Sequence, residues 1–418
     1  MQRDATTPLG INGLGRIGKL TLWHHVARRH FPELVVNLGR EVGMGLEAVC
    51  QAIEKDSTYG SMHRFLFGVN ADRCIRIVDR EARLLDVAGV PVKLLQKSRD
   101  PAAIGWSEHG VRVVVDTTGA FGDPTAPAER PGGALRGHLA AGAEAVVNSS
   151  AFKIKDKGQA LPDDATTLIY GINHECFEPS RHRVVSAASC TTTGLAHMVK
   201  PLLDRFDPSS LMTASMSTIH AVTATQSVAD RMPKAGATDL RKSRSVLDSI
   251  ILTSTNAARA LESVIPRIRD IGFMADSVRV PILTESLIIL NVTFQSRIDA
   301  NGKSSMDKSV LNGIYAAAAE GPQRGLLVFS DEQNVSADVT GMKAAVVIEG
   351  VETHTRTGFV RVDLTNVSGV DPSVAAQLGR TEIEIPVTHA KIFGWYDNEY
   401  GSYTNLMGDL TVHIEQSM

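Results

Sequence analysis

The segment from Leu9 to Val36 constrains this chain more than any other. Leu9 to Asn12 is a short apolar run, Gly13-Leu14-Gly15-Arg16-Ile17-Gly18 spells GxGxxG, Lys19 to His30 is amphipathic at helical spacing, and Leu34 to Val36 is apolar again. That order predicts strand, tight turn, helix and parallel strand, a βαβ opening. Glycine at the three motif positions permits the turn, close approach of backbone to a pyrophosphate, and packing of helix on strand. The amides that open the helix then face the anion. A glycine-rich turn with no ligand has the same spelling; its place between strand and helix favours the dinucleotide reading.

Further β-branched runs at Val111 to Val115 and Ala145 to Val147 extend a parallel sheet with helical crossovers. From Leu211 onward the strands lengthen, at Leu211 to Ile219, Leu287 to Phe294 and Ala344 to Ile348, with a helix at Ser305 to Glu320. This is the pattern of an α+β domain with helices on one face of its sheet. The 418 residues suffice for two domains, placed at 1–189 with 398–418, and at 190–397. Two polar, turn-rich stretches, Lys153 to Ala165 and Gly350 to Gly379, read as surface insertions. The second has the composition to extend a hairpin, alter subunit contacts or cover part of a substrate mouth.

Net charge is −3 and the isoelectric point is near 6.5, so the chain presents no global basic field for nucleic acid or an anionic membrane. The local basic run Arg231 to Arg244 reads as a subunit-contact and phosphate loop rather than a groove reader. Cys50, Cys74, Cys176 and Cys190 lack metal-ligand spacing and disulfide density, which suits a reducing cytoplasm and predicts no metal. Met1 to Pro8 has no apolar signal core and no apolar run is long enough for a bilayer, so the expectation is a soluble, cytoplasmic protein.

Cofactor choice turns on the end of the second strand, Asn37-Leu38-Gly39-Arg40, where an NAD site places a carboxylate for the ribose 2′-hydroxyl. Leu38 accepts no hydrogen bond, whereas Gly39 leaves room and Arg40 either pairs with a 2′-phosphate or rests in solvent. NADP is therefore expected to be tolerated or preferred over NAD. Cys190 follows the strand Val184 to Ser186 and opens an apolar helical series that Pro201 is expected to kink or shorten. There it is either a buried small residue or a thiolate favoured by the helix's leading amides. His220 closes the strand Leu211 to Ile219 ahead of Thr223, Thr225 and Gln226, as a structural ring or as a base.

Seven ordered blocks then resemble the phosphorylating glyceraldehyde-3-phosphate dehydrogenases: Asn12 to Gly18, Lys55-Asp-Ser-Thr-Tyr-Gly60, Thr118-Gly119, Ser189-Cys-Thr-Thr192, His220-Ala-Val-Thr223, Arg279-Val-Pro281 and Trp395-Tyr-Asp-Asn-Glu399. The resemblance implies a Rossmann-type N-terminal domain and an α+β catalytic domain. It implies that Cys190 attacks the aldehyde, that His220 acts as base and oxyanion donor, and that inorganic phosphate resolves the thioester. Thr223 and Arg279 then match the substrate-phosphate site, and Ser189, Thr191, Thr255 and Lys242 the attacking-phosphate site. Gly13, Gly15, Arg16, Ile17, Gly18, Thr118, Gly119, Ser150 and Asn398 match the cofactor site, and the implied assembly is a homotetramer. Two other readings compete, a dehydrogenase of another phosphorylated aldehyde such as erythrose 4-phosphate, and a homologue that binds partners without catalysis.

The chain departs from the family pattern at several places. Leu38 stands for the ribose-binding acid, Thr193 and Gly194 for the usual Asn and Cys, Asn256 for a glycine and Lys242 for a common arginine. Gly401-Ser402-Tyr403 carries one extra residue after the Trp395 block.

Overall fold

The computed structural model describes residues 5–156, 158–223, 226–377, 379 and 381–418; Thr225 of the polar run after His220, and Lys157 and Leu378 of the two insertions, lie outside them. The chain forms two compact units, Met1–Thr193 with Thr340–Ala345 and Tyr396–Met418, and Gly194–Val339 with Val346–Trp395.

The first unit runs β1 (Leu9–Asn12), α1 (Arg16–Arg28), β2 (Leu34–Asn37), α2 (Leu46–Glu54), the small β3 (Lys55–Asp56) and β4 (Gly60–Ser61), and α3 (Met62–Phe67). It continues with β5 (Ile75–Asp79), β6 (Leu84–Val87), β7 (Val90–Leu95), β8 (Val113–Asp116), α4 (Arg136–Ala140), β9 (Ala145–Asn148), β10 (Ala165–Thr167) and β11 (Val184–Ser186). The nine-stranded sheet has the order β10-β11-β9-β8-β1-β2-β7-β6-β5, parallel from β10 to β7 and antiparallel over the last two pairings. Its central strands are buried on both faces, which is why they read as mostly aliphatic runs, each closed by a buried Asn or Asp.

Helix α1 starts inside the glycine motif, at Arg16 rather than Lys19, because Gly15 already has the extended conformation of a helix-opening residue. It ends at Arg28, two residues before the expected His30, where Arg29 turns left-handed (φ 55°) and its N–H caps His25 O. Trp23 of α1 is fully buried in a core with Leu9, Ile11, Leu20 and Ile53, its indole N–H donating to Ile53 O at 2.9 Å. Burial of a side chain that size contributes about 3 kcal/mol.

Helix α5 (Cys190–Arg205) carries the chain from the first unit into the second. Pro201 does not shorten it. The helix continues to Arg205 because Leu202 and Leu203, 1% and 3% exposed, bury beyond the proline, and Lys200 pairs with Asp204 across it at 2.8 Å.

The second unit contains β12 (Leu211–His220), β13 (Ile251–Thr253), α6 (Ala257–Val264), β14 (Phe273–Arg279), β15 (Ser286–Gln295), α7 (Lys308–Glu320), β16 (Leu327–Ser330), β17 (Val346–Glu349), β18 (His354–Asp363), α8 (Pro372–Gln377) and β19 (Glu382–Tyr396). Its sheet has the order β13-β14-β12-β15-β19-β17-β16, with β18 paired to β19. Ala214, Met216 and Thr218 of β12 face the core beside their register partners Val292, Leu290 and Ile288 of β15. Alternation at period two produces this inner face. The stretch from Gly350 enters β18, which forms a ten-residue antiparallel ribbon with β19, so of the three roles open to that insertion its first part takes the hairpin. Helix α9 (Asn405–Ser417) belongs to the first unit and packs against α1. Among the described residues no helix is long and apolar enough to cross a membrane.

Candidate active site

Cys190 owes its position to a tight connection between β11 and α5. Ala188, fully buried, sits at φ 56°, a left-handed conformation that costs a non-glycine residue about 1 kcal/mol. Strain of this kind collects at functional turns. Ser189 then caps α5, its Oγ accepting from Thr192 N at 3.2 Å and pairing with Thr192 Oγ1 at 2.7 Å. This makes Cys190 the first residue of the helix, half-buried and reduced. Thr191, 5% exposed, shares a 2.8 Å hydrogen bond with the Tyr396 hydroxyl. The other thiols have different surroundings: burial, then the Glu54 charge, pushes Cys74 up to about 11, and burial, then Glu47, pushes Cys50 up, while Cys176 is exposed.

In the second unit, β12 and β14 run parallel in a register that sets His220 beside Arg279. The Ala221 carbonyl lies 2.7 Å from His220 Nδ1 and 3.1 Å from Arg279 Nη1. A carbonyl only accepts, so Nδ1 carries the proton and Nε2 holds the lone pair. Burial, reinforced by the Arg279 charge and partly opposed by the Ala221 bond, holds the ring's pKa down to about 3. The imidazole is thus neutral, with Nε2 as its acceptor nitrogen.

Thr223 follows on the next turn, its hydroxyl donating to Gln226 Oε1 at 2.7 Å. Thr255 precedes α6, where its Oγ1 accepts from Ala257 N at 3.2 Å. Lys242 lies exposed on the turn Leu240–Ser243, its ammonium making no hydrogen bond or ion pair among the described residues. The second unit therefore brings His220, Arg279 and Thr223 to adjoining backbone, and carries Thr255 and Lys242 on separate turns.

The glycine turn fits a pyrophosphate. Gly13 has φ +94°, and a Cβ on Gly18 would fall 2.2 Å from Gly13 O. At Gly15 a Cβ would meet no atom within 4 Å, so the backbone is open to an approaching ligand there. Arg16 offers an anion only its main-chain N–H at the head of α1, followed by that of Ile17, because its guanidinium is committed to Asp56 at 2.6 Å and Glu399 at 2.5 Å. Burial would raise Asp56, but Lys19, the Tyr59 and Thr58 amides and Arg16 outweigh it and hold the carboxyl at about 2. Three of the seven sequence blocks thus meet in one ion-pair network that anchors the turn.

A row of polar residues crosses the carboxyl ends of the parallel strands at one register level: Asn37, Asn12, Asp116, Asn148 and Ser186. Sequence reasoning passed over it, although each member ends an apolar run. Asn37 donates to Asn12 and Asn12 to Asp116, at 2.9 and 2.8 Å. Asp116 also accepts from Thr118 N and Oγ1 at 3.1 and 2.7 Å, which fixes the turn into Gly119. Gly119 and Ser150 line one cavity of about 250 Å³. Ser150 is held through its carbonyl, which accepts from Asn148 and Ser186 at 2.7 and 2.9 Å.

Two family descriptions match the chain, the NAD binding domain of glyceraldehyde 3-phosphate dehydrogenase over residues 7–124 and the C-terminal domain of the same enzyme over 189–367. Glyceraldehyde-3-phosphate dehydrogenase 2 of Streptomyces arenae is 32% identical over 99% of this chain and all of its own length. The Streptomyces coelicolor enzyme is 31% identical over 98% of both chains, and glyceraldehyde-3-phosphate dehydrogenase 1 of Bacillus cereus 28% over 98% of both. The chain belongs to the glyceraldehyde-3-phosphate dehydrogenase family. Residues 7–124 of its first unit carry the Rossmann-type NAD binding domain of that family, and the chain is a dehydrogenase of that type binding NAD or NADP.

Within the family frame, the C-terminal match opens one residue before Cys190, and the segment bearing buried Asn398 lies beyond both matches. At the end of β2, Leu38 is half-buried, Gly39 turns left-handed (φ +65°), and Arg40 is exposed with no ion pair among the described residues. A Cβ at Gly39 would stand 3.3 Å from both Arg99 Cγ and Ser98 O. Arg99, likewise exposed, is a second cation beside Gly39 that sequence reasoning missed, because it lies 60 residues away on the loop after β7.

Proposed function

We propose that this chain oxidises glyceraldehyde 3-phosphate to an acyl phosphate through a thioester on Cys190, with NADP accepted at least as well as NAD. The observation that carries the reading is His220, a neutral buried ring whose Nδ1 is tied to Ala221 O beside the cationic Arg279. Cys190 adds its sulfur to the aldehyde carbon, and His220 Nε2 takes the proton of the resulting hydroxyl as the carbon loses hydride. A bound nicotinamide dinucleotide supplies the hydride acceptor. Arg279 and Thr223 hold the phosphate of the aldehyde. Thr255 and Lys242, with Ser189 and Thr191 from the first turn of α5, receive the inorganic phosphate that breaks the thioester. Because Ser189 Oγ already caps the helix and Thr191 Oγ1 already meets Tyr396, these two steady the sulfur's turn as well.

For the cofactor, Gly13, Gly15 and Gly18 with the Arg16 and Ile17 amides take the pyrophosphate, Thr118, Gly119 and Ser150 the nicotinamide half, and Asn398 its carboxamide. Arg40 and Arg99 flank Gly39, where a 2′-phosphate would lie.

The assembly we propose is a homotetramer. Register places Leu252, Met274, Val278, Ile219 and Ile289 on the outer face of the second unit's sheet, and Leu252 and Met274 are 59% and 67% exposed. Exposed large apolar side chains such as these, set among Ser215, Ser217, Asp276 and Asn291 of the same face, support a self-association surface there. The reduced thiols of Cys50, Cys74 and Cys176 fit a reducing, cytoplasmic setting.

A steady-state assay with glyceraldehyde 3-phosphate, each dinucleotide, and phosphate present or omitted tests the reading. Reduction of the dinucleotide should require phosphate for sustained turnover and vanish in Cys190→Ser. Sustained turnover without phosphate, or preference for a four-carbon aldehyde phosphate, replaces it with the erythrose 4-phosphate alternative. No reduction with any aldehyde phosphate leaves the non-catalytic reading.

A further inference from the structure

The extra residue after the Trp395 block is absorbed by a widened helical turn, Tyr400–Thr404, in which Thr404 N donates to Glu399 O five residues back at 2.9 Å. Turns of this type accommodate single insertions and recur at functional sites. This one is rigid. A Cβ on Gly401 would lie 2.2 Å from Met342 O, and Asp397 accepts from Tyr59 Oη at 2.8 Å and Gly341 N at 2.9 Å. The 2.8 Å bond from Tyr396 to Thr191 ties the segment to the residue after Cys190.

Inside this turn Tyr403 is 5% exposed, and its hydroxyl has no hydrogen-bond partner among the described residues. A buried donor left unpaired is destabilising, and such groups are rare in folded proteins. Apart from burial, the influence acting on this phenol is the charge of the Cys190 sulfur; together they raise its pKa, so the hydroxyl remains a donor when the sulfur ionises. A neutral thiol is a weak acceptor, whereas a thiolate is a strong one.

We propose that Tyr403 is a positioning residue for Cys190: its O–H is kept unpaired for the anionic sulfur, to which it donates, steadying the thiolate and favouring it over the thiol. This rests on the reading of Cys190 as the nucleophile.

The test is the rate of Cys190 alkylation by iodoacetamide as a function of pH in the full-length protein. Peptide mapping separates Cys190 from the exposed Cys176. Tyr403→Phe deletes one oxygen that has no partner, so its melting temperature should equal or exceed the parent's. Its alkylation midpoint should rise by about one pH unit and its rate near neutrality fall about tenfold. In the parent, a red shift of tyrosine absorbance should follow the thiolate titration and be absent in Cys190→Ser, a readout that needs no Tyr403 variant. An unchanged midpoint and rate in Tyr403→Phe overturns the proposal, as does an equal shift in Tyr396→Phe, whose hydroxyl is already paired. If the parent's Cys190 reacts no faster than a free cysteine, the nucleophile reading falls and takes this one with it; if the parent is fast and Tyr403→Phe matches it, only the role of Tyr403 falls.

Discussion

At the scale of single residues, the glycine turn and the cations around Gly39 have separable consequences. Gly18→Ala drives a methyl into the Gly13 carbonyl, a backbone atom that moves only if α1 lifts from β1. Overpacking of this kind costs about 1–3 kcal/mol, so the melting temperature should drop and dinucleotide affinity, measured by fluorescence titration, should fall with it. Arg40 is a different case because its side chain is exposed and makes no ion pair among the described residues. Arg40→Ala should leave the melt unchanged and raise the KM for NADP about tenfold relative to NAD, the worth of one charge-assisted hydrogen bond. Arg99→Ala should act in the same sense, and an unaltered NADP to NAD ratio in both variants removes the 2′-phosphate reading.

At the scale of elements, local pattern carried the sequence reading a long way and long-range partnership limited it. The βαβ opening was legible because glycines punctuate it and its strands are uniformly apolar. The start of α5 was legible because Cys190 stands between a strand and an apolar helical series. Pro201 does not shorten α5, since a local rule about a missing N–H is outweighed by burial of Leu202 and Leu203 beyond it. Arg16 belonged to the motif, but its guanidinium's partners, Asp56 and Glu399, are 40 and 383 residues away, a distance no periodicity spans. Removing the buried Asp56 carboxylate in Asp56→Asn should destabilise the first unit by about 3 kcal/mol, read by chemical denaturation, because it removes the negative charge that Arg16 and Lys19 share. The ribbon of β18 and β19 is the opposite kind of element. Phe359 and Val360 are 60% and 41% exposed, and the ribbon's base is fixed by Thr388, which bonds Thr357 and Ser296 at 2.8 and 2.7 Å. Replacing residues 359–386 by an Asn-Gly turn, so that the register partners Gly358 and Val387 flank it, should therefore leave a folded protein whose melting temperature lies within about 5 °C of the parent's.

At the scale of the whole molecule, buried histidines set the response to acid. Burial, with Arg28 adding to it, drives His24 and His25 well below their ordinary range, and His220 is down at about 3. The unfolded chain takes up protons at these rings below about pH 6.5 while the folded chain does not, so stability is full above that pH and lost as pH falls. Each ring contributes a slope of about 1.4 kcal/mol per pH unit, ending for His220 near its folded value. Urea unfolding at neutral and mildly acidic pH should show it, and His220→Asn should make the slope shallower. Assembly belongs to this scale too: Met274→Lys on the outer sheet face should yield a smaller species in sedimentation velocity than the parent.

The first unit is completed by two later pieces of chain, residues 340–345 and 396–418. Helix α1 packs on α9, His24 stacks on Tyr400 at 3.9 Å, and Arg28 bonds Asn405 and Asp409. During synthesis residues 5–193 therefore leave the ribosome before the segments that complete their unit, with α1 uncovered until α9 has emerged. A nascent chain stalled before Tyr396 should expose Trp23 and Leu20 to chaperones, and residues 1–193 made alone should lack a stable fold.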